Sequence, residues 1–190
     1  MINDYPELIA EVSTRSGATN VVNRAGMFVG MAEKMLSKRL RLANMETAID
    51  LTTDSNGSVN LPTDYQEMRS IRVDNRDIER KPLGVVLDGR QCGYAIQAKV
   101  LKSTYKSKAH QLVYYAAVPG LEAANTSWLL NEEPELYLQA VLFQTYTANN
   151  EIEKAQATAG YLGGLISAAN EADHMNRHAG TRINLGKVVP

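Results

Sequence analysis

The run Glu132-Glu133-Pro134-Glu135-Leu136-Tyr137-Leu138-Gln139-Ala140-Val141-Leu142-Phe143 decides the fold. Asn131 stands ahead of it as an N-cap, and three carboxylates with Pro134 form a first turn matched to the positive end of a helix dipole. From Leu136 to Phe143 the one polar residue is Gln139. A helix apolar almost all round is buried on several sides, either deep in a core or between neighbouring subunits. Downstream, Asn149-Asn150 interrupts the pattern, and Asn150 with Glu153 makes a second cap pair. Ile152, Ala155, Ala159, Leu162, Ile166 and Ala169 then step by three and four, as a seam between helices requires. Gly160, Gly163 and Gly164 interrupt this helix, each weakening it by up to about 1 kcal/mol relative to Ala. Close backbone approach at that point is the expected compensation.

Towards the N-terminus, Asp4 can cap a first helix, with Pro6 in its opening turn and Glu7 three positions on, where it can reach back to the cap's own N–H. That helix runs to about Arg15, and Ser16-Gly17-Ala18 punctuates the chain. From Asn20, the residues Val21, Ala25, Phe28, Val29, Ala32, Met35, Leu36 and Leu40 recur at helical steps. The opposite face carries Arg24, Glu33, Lys34, Lys38, Arg39 and Arg41, with the cations crowded at the C-terminal end, where the dipole favours them.

The middle third changes period. Ile49 and Leu51 alternate with Asp50 and Thr52, Asn56-Gly57 is a favoured turn, and Val59 and Leu61 alternate again, which reads as a hairpin. Pro62 ends it, Asp64 to Arg69 reads as a helical turn, and Ile71 with Val73 opens another strand. Val85 to Leu87, Tyr94 to Leu101 and Gln111 to Val118 are further strand candidates, separated by Gly, Asp or Ser clusters. The resulting class is α+β, mainly α: a helical bundle of N- and C-terminal helices (1–44 and 125–178), a small antiparallel β insert (45–124) and an extended C-terminal arm (179–190). The arm keeps Arg182, Ile183, Leu185, Val188 and Val189 but has no partner segment of its own, so it is expected to order against another chain.

Bulk composition narrows the function. At 190 residues, two independent domains would be cramped, and 44% apolar with 22% charged residues places the chain among globular proteins. Twenty basic and 21 acidic side chains leave a net charge of -1, which disfavours nucleic-acid or membrane binding through bulk charge. Cys92 is the single cysteine, so intrachain disulfides and thiolate metal clusters are excluded and a reducing compartment fits. The first residues lack the basic-then-apolar order of a secretory signal, and no apolar stretch approaches the length of a membrane span. A soluble protein is expected.

No phosphate-cradling glycine loop, nucleophile elbow or His-Glu-x-x-His zinc signature is present, so no catalytic residues, metal site or cofactor are assigned. His174 and His178, with Asp173, have a spacing that could offer metal ligands, but a solvated helix end beside Arg177 explains them better. Glu132, Glu133 and Glu135 read as a helix first turn rather than an acid–base pair. Two basic patches, Lys38/Arg39/Arg41 and Lys99/Lys102/Lys106/Lys108, read as solvated faces. Tyr94, Tyr105, Tyr114 and Tyr115 read as β-core rather than base-stacking platforms, and Trp128 as a packing anchor.

Two stretches carry a resemblance. Val59-Asn60-Leu61-Pro62-Thr63-Asp64-Tyr65-Gln66-Glu67-Met68-Arg69 looks like the strand, Leu-Pro-x-Asp, aromatic and Glu-before-Arg order of tailed-bacteriophage head–tail adaptors. Asn125-Thr126-Ser127-Trp128-Leu129-Leu130, followed by the acidic turn and Pro134-Glu135-Leu136-Tyr137, resembles that family's loop into its C-terminal helices. The resemblance implies a non-enzymatic structural virion protein: a homo-oligomeric ring, commonly of twelve subunits, at the portal vertex or neck, assembled in the host cytoplasm. Its partners would be the portal protein and tail or nozzle proteins, genomic DNA would pass through its channel without specific binding, and no membrane would be involved. Arg182, Ile183, Leu185, Val188 and Val189 would form the portal-binding arm. Leu136, Tyr137, Ala140, Val141, Leu162 and Ile166 are the expected subunit interface, since an all-round apolar helix invites a neighbour and a head-to-tail contact that closes makes a ring. The alternatives are another neck or tail-completion protein, such as a stopper or tail terminator, and a small metal- or nucleic-acid-binding protein.

Overall fold

The computed structural model describes residues 2–178. Met1 and residues 179–190 lie outside the described residues, and with them all five arm positions, Arg182, Ile183, Leu185, Val188 and Val189. The chain is α+β and mainly α.

Asp4 opens α1 (Tyr5–Ser16), its carboxylate accepting the Glu7 N–H at 2.9 Å. The Glu7 carboxylate reaches past the cap and takes the N–H of Asn3 at 2.8 Å. Gly17 closes the helix at φ 65°, its N–H bonded to Ser13, a left-handed position that glycine takes without steric cost. The amphipathic stripe of α2 (Val21–Arg39) buries Val21, Ala25, Phe28, Val29, Ala32 and Leu36.

The C-terminal helices start differently from the sequence reading. Asn131 does not cap the apolar helix. Instead Ser127 caps a short α5 (Trp128–Glu132) by accepting the Leu130 N–H at 3.2 Å, and α6 (Pro134–Ala148) begins afresh. Pro134 is the cause: it lacks an N–H and turns the preceding residue away from helical geometry, and Glu133 sits at φ -131°, ψ 57°. Asn150 likewise is no cap; it takes φ 58° in the turn between α6 and α7 (Ile152–His178), while the Ala155 N–H bonds to Glu151 O.

Helices α1, α2 and α7 all pack on α6. Leu136, Tyr137, Leu138, Ala140 and Val141 are fully enclosed, and α7 adds one buried stripe, Ala155, Thr158, Leu162, Ile166 and Ala169. Each large apolar side chain so enclosed contributes about 1.5–3 kcal/mol, so this hub is the chief source of stability. The seam glycines do not work as expected. A Cβ added at Gly160 or Gly164 would meet nothing within 4 Å, and at Gly163 it would meet only the Arg39 guanidinium at 3.9 Å. Among the described residues, no close backbone approach compensates them.

The insert comprises β1 (Glu46–Thr52), β2 (Ser58–Asn60), β3 (Tyr65–Val73), β4 (Arg76–Asp77), α3 (Leu83–Leu87), β5 (Tyr94–Gln97), β6 (Val100–Ser103), β7 (Ala109–Ala116) and α4 (Leu121–Ala124). Two antiparallel sheets form, in the orders β1-β7-β3-β4 and β2-β6-β5. The expected hairpin across Asn56-Gly57 is therefore absent: β1 pairs with β7, β2 pairs with β6, and the turn passes the chain from one sheet to the other. Asp54 holds that turn by accepting the N–H groups of Asn56 and Ser58, each at 2.8 Å.

Three further readings change. Residues 65–69 extend as strand rather than turning helically, because β7 pairs with them, with register shifts between Tyr65 and Glu67 and between Met68 and Ser70. Residues 85–87 belong to α3, where the Val85 and Val86 N–H groups bond back to Pro82 O. The stretch 94–101 is a hairpin rather than one strand, turning at Ala98 and Lys99 with φ 48° and 62°, the positive pair of a type I′ turn. Leu61, Ile71, Tyr94, Leu101 and Leu112 form a second core between the sheets. Tyr115 and Val118, at the end of β7, join the helical core instead.

Candidate functional site

The end of α2 leaves backbone groups that need partners where the chain crosses, as a 3₁₀ turn at Ala43–Met45, into β1. Side chains of α7 supply them. Asn170, Asp173 and Arg177 stand at steps of three and four on one face. Asn170 accepts the Arg41 N–H at 2.9 Å and donates to Arg39 O at 3.1 Å. Asp173 accepts the Ala43 N–H at 2.8 Å. Arg177 donates to Arg41 O at 3.3 Å and to the Tyr115 hydroxyl at 3.2 Å, and it pairs with the carboxylates of Glu46 and Asp173.

The sheet answers from the other side. Arg69 pairs with Glu46 at 2.8 Å and donates to the Tyr115 hydroxyl at 3.3 Å, while Arg41 pairs with Glu67 at 2.6 Å. The guanidinium groups of Arg41 and Arg177 lie over the Tyr115 ring, 5.6 and 5.8 Å from its centroid, within cation–π range. Three arginines thus meet three carboxylates around one buried tyrosine. This clasp ties the helical body to the β1-β7-β3-β4 sheet at the end of the last described helix.

The six expected interface residues lie elsewhere. Leu136, Tyr137, Ala140 and Val141 are wholly inside the subunit, and Leu162 and Ile166 are at most 4% exposed. Their apolar surface is covered by the chain's own helices, so they do not face outward in this fold: α6 is apolar all round because it is the hub of its own fold. The Tyr137 hydroxyl donates to Glu33 at 2.5 Å, and the same carboxylate oxygen accepts the Leu121 N–H at 2.7 Å. Burial, reinforced by the Glu33 bond and charge, pushes the Tyr137 phenol far above its ordinary range, so it acts as a neutral strut.

Other candidates resolve into structure. Lys99 donates to Thr63 O and Lys102 to Ser58 Oγ, and Lys108 pairs with Asp74, so three of the four lysines in that patch turn back onto their own chain. Tyr94, Tyr114 and Tyr115 are buried, and Trp128 packs against the helical core. Glu132 accepts both bonds of the Asn44 amide, at 2.9 and 2.8 Å, and Glu135 accepts from Gln139. His174 is exposed. Among the described residues, no three His, Cys, Asp or Glu side chains gather as a metal site, and no helix is long and apolar enough to cross a membrane. His110, fully buried, was not singled out by pattern. Its Nε2 lies 2.8 Å from Ser103 Oγ and its Nδ1 2.9 Å from Lys108 O, and burial lowers its pKa.

The sequence reading placed Arg41, Asp173 and Arg177 on solvated faces and Tyr115 in the β-core, and did not foresee the clasp that joins them. The available signal was the three- and four-step spacing of Asn170, Asp173 and Arg177 just beyond the apolar seam. A family model described as SU10 adaptor protein matches residues 3–185, nearly the whole chain. No curated protein matches it.

Proposed function

Since the chain belongs to the SU10 adaptor protein family, a phage head–tail adaptor family, we propose that it forms a closed ring at the portal vertex, with residues 179–190 as the arm that docks on the portal. Twelve copies is the number that the resemblance implies. Tail or nozzle proteins meet the opposite side, and the genome passes through the channel without sequence-specific contact. A net charge of -1 suits such a conduit, because tight phosphate binding needs many unneutralised cations. Catalysis plays no part in this role.

The observation that carries the reading is the clasp. A short arm can hold a large partner in a fixed orientation only if its root is rigid, and Asn170, Asp173 and Arg177 tie the last turns of α7 to both halves of the fold. Arg182, Ile183, Leu185, Val188 and Val189 supply the contact beyond it. Deleting 181–190 should leave the circular dichroism spectrum and melting temperature of the body unchanged while abolishing co-sedimentation with the portal. Undiminished portal binding by the truncated chain rejects the arm. Capture of tail components alone, by the full-length chain, favours a tail-completion role instead.

A further inference from the structure

With its hub enclosed, a subunit of the proposed ring must meet its neighbours through outward faces, and two of these match. On α2, Arg24, Met27, Met31, Lys34 and Lys38 are all exposed and follow one another at steps of three and four, so they form one stripe. Met27 and Met31 are 45% and 48% exposed. On α7, Glu153, Ala157, Gly160, Gly164 and Glu171 are exposed directly opposite the buried seam of Ala155, Thr158, Leu162 and Ile166. One stripe is basic, then methionine, then basic; the other is acidic, then small, then acidic. At 1.5 Å per residue, the outer charges are about 21 Å apart on α2 and about 27 Å apart on α7. Lys34, Lys38, Glu153 and Glu171 form no ion pair among the described residues.

The seam glycines give a second, independent argument. Gly160 and Gly164 weaken α7, yet a Cβ at either would touch nothing among the described residues of its own subunit. Packing among the described residues therefore does not explain them. A neighbouring helix seated on that face would, because missing side chains let backbones approach and leave hollows that flexible methionines fill. Both helices pack on α6 through residues other than these, so the two stripes are distinct exposed surfaces of one subunit. That is the arrangement a head-to-tail contact requires.

We propose that neighbouring copies join by seating the Arg24–Met27–Met31–Lys34–Lys38 stripe of one α2 on the Glu153–Gly160–Gly164–Glu171 stripe of the next copy's α7. The proposal rests on the ring reading but specifies its faces. In a Cys92→Ser background, the double variant Met31→Cys with Gly164→Cys, treated with a short bis-maleimide in the purified protein and in assembled particles, should give a ladder of covalent multimers ending at the full ring. Separately, Lys34→Glu with Lys38→Glu should lower self-association at least tenfold, and adding Glu153→Lys with Glu171→Lys in the same chain should restore it. Rings seen by electron microscopy without a ladder and without charge rescue overturn the face pairing and leave the ring intact. No self-association of the unaltered chain, free or in particles, overturns the ring and the pairing together.

Discussion

Arg177→Ala removes the member of the clasp that pairs with two of its carboxylates. Its side chain is 17% exposed, and those of Glu46 and Asp173 are 26% and 18% exposed, so water screens these pairs only in part. Charge-assisted bonds of this kind are worth roughly 1.5–3 kcal/mol each when a partner is stranded. Neither acid is wholly stranded, since Glu46 keeps Arg69 at 2.8 Å and Asp173 keeps the Ala43 N–H. The expected loss is therefore about 2–3 kcal/mol in total, below the cost of breaking a fully buried pair. At this chain length that lowers the melting temperature by roughly 4–12 °C. Arg177→Lys keeps the charge but cannot fork between two carboxylates, and should lose about 1–2 kcal/mol. Urea unfolding gives the magnitude, and hydrogen exchange gives the location: the Arg41 and Ala43 amides, bonded to Asn170 and Asp173, should exchange faster in Arg177→Ala while amides of α6 change only with global stability. An unchanged urea midpoint together with unchanged exchange at Arg41 and Ala43 would refute the idea that Arg177 holds the end of α7.

Tyr137→Phe leaves the ring of the hub in place and deletes its bond to Glu33; a loss of about 1–2 kcal/mol in urea unfolding is expected, and a neutral variant would show the strut to be dispensable. Gly57→Ala puts a Cβ 2.1 Å from Ser103 O at a backbone φ of 78°, so a loss of roughly 1–3 kcal/mol is expected, with unaltered stability as the contrary result. Burial lowers the pKa of His110, so the folded chain holds it neutral while the unfolded chain takes up a proton below about pH 6.5. Its contribution is fully present above that pH and is lost as the pH falls. His110→Asn should flatten the decline in urea midpoint as the pH falls below about 6.5, and parallel slopes for the two proteins would count against the assignment.

Much of the fold was legible where one periodicity ruled. The stripe of α2 from Val21 to Leu36 and the seam of α7 from Ala155 to Ala169 follow from spacing alone, because each buries a single face. Strand pairing was not legible: β1 bonds to β7, some sixty residues on, rather than to β2 across Asn56-Gly57, since a turn signal says that the chain bends and not which edge it then meets. The apolar run in α6 had two readings, core or subunit contact, and no local feature of Leu136 to Phe143 separates them; what decides is that α1, α2 and α7 converge on it. The clasp was hidden because its partners are backbone groups of residues 39–43 and side chains from β1, β3 and β7, brought together only by tertiary folding.

The enclosure of α6 makes folding and assembly separable events. A copy that completes its interior alone melts at a temperature independent of dilution, unlike an obligate oligomer whose stability rises with concentration. In the proposed ring each copy would bring a body already folded, and one that seats in the wrong orientation could leave again without unravelling. Errors in the proposed circle would then be corrected by exchange of intact pieces.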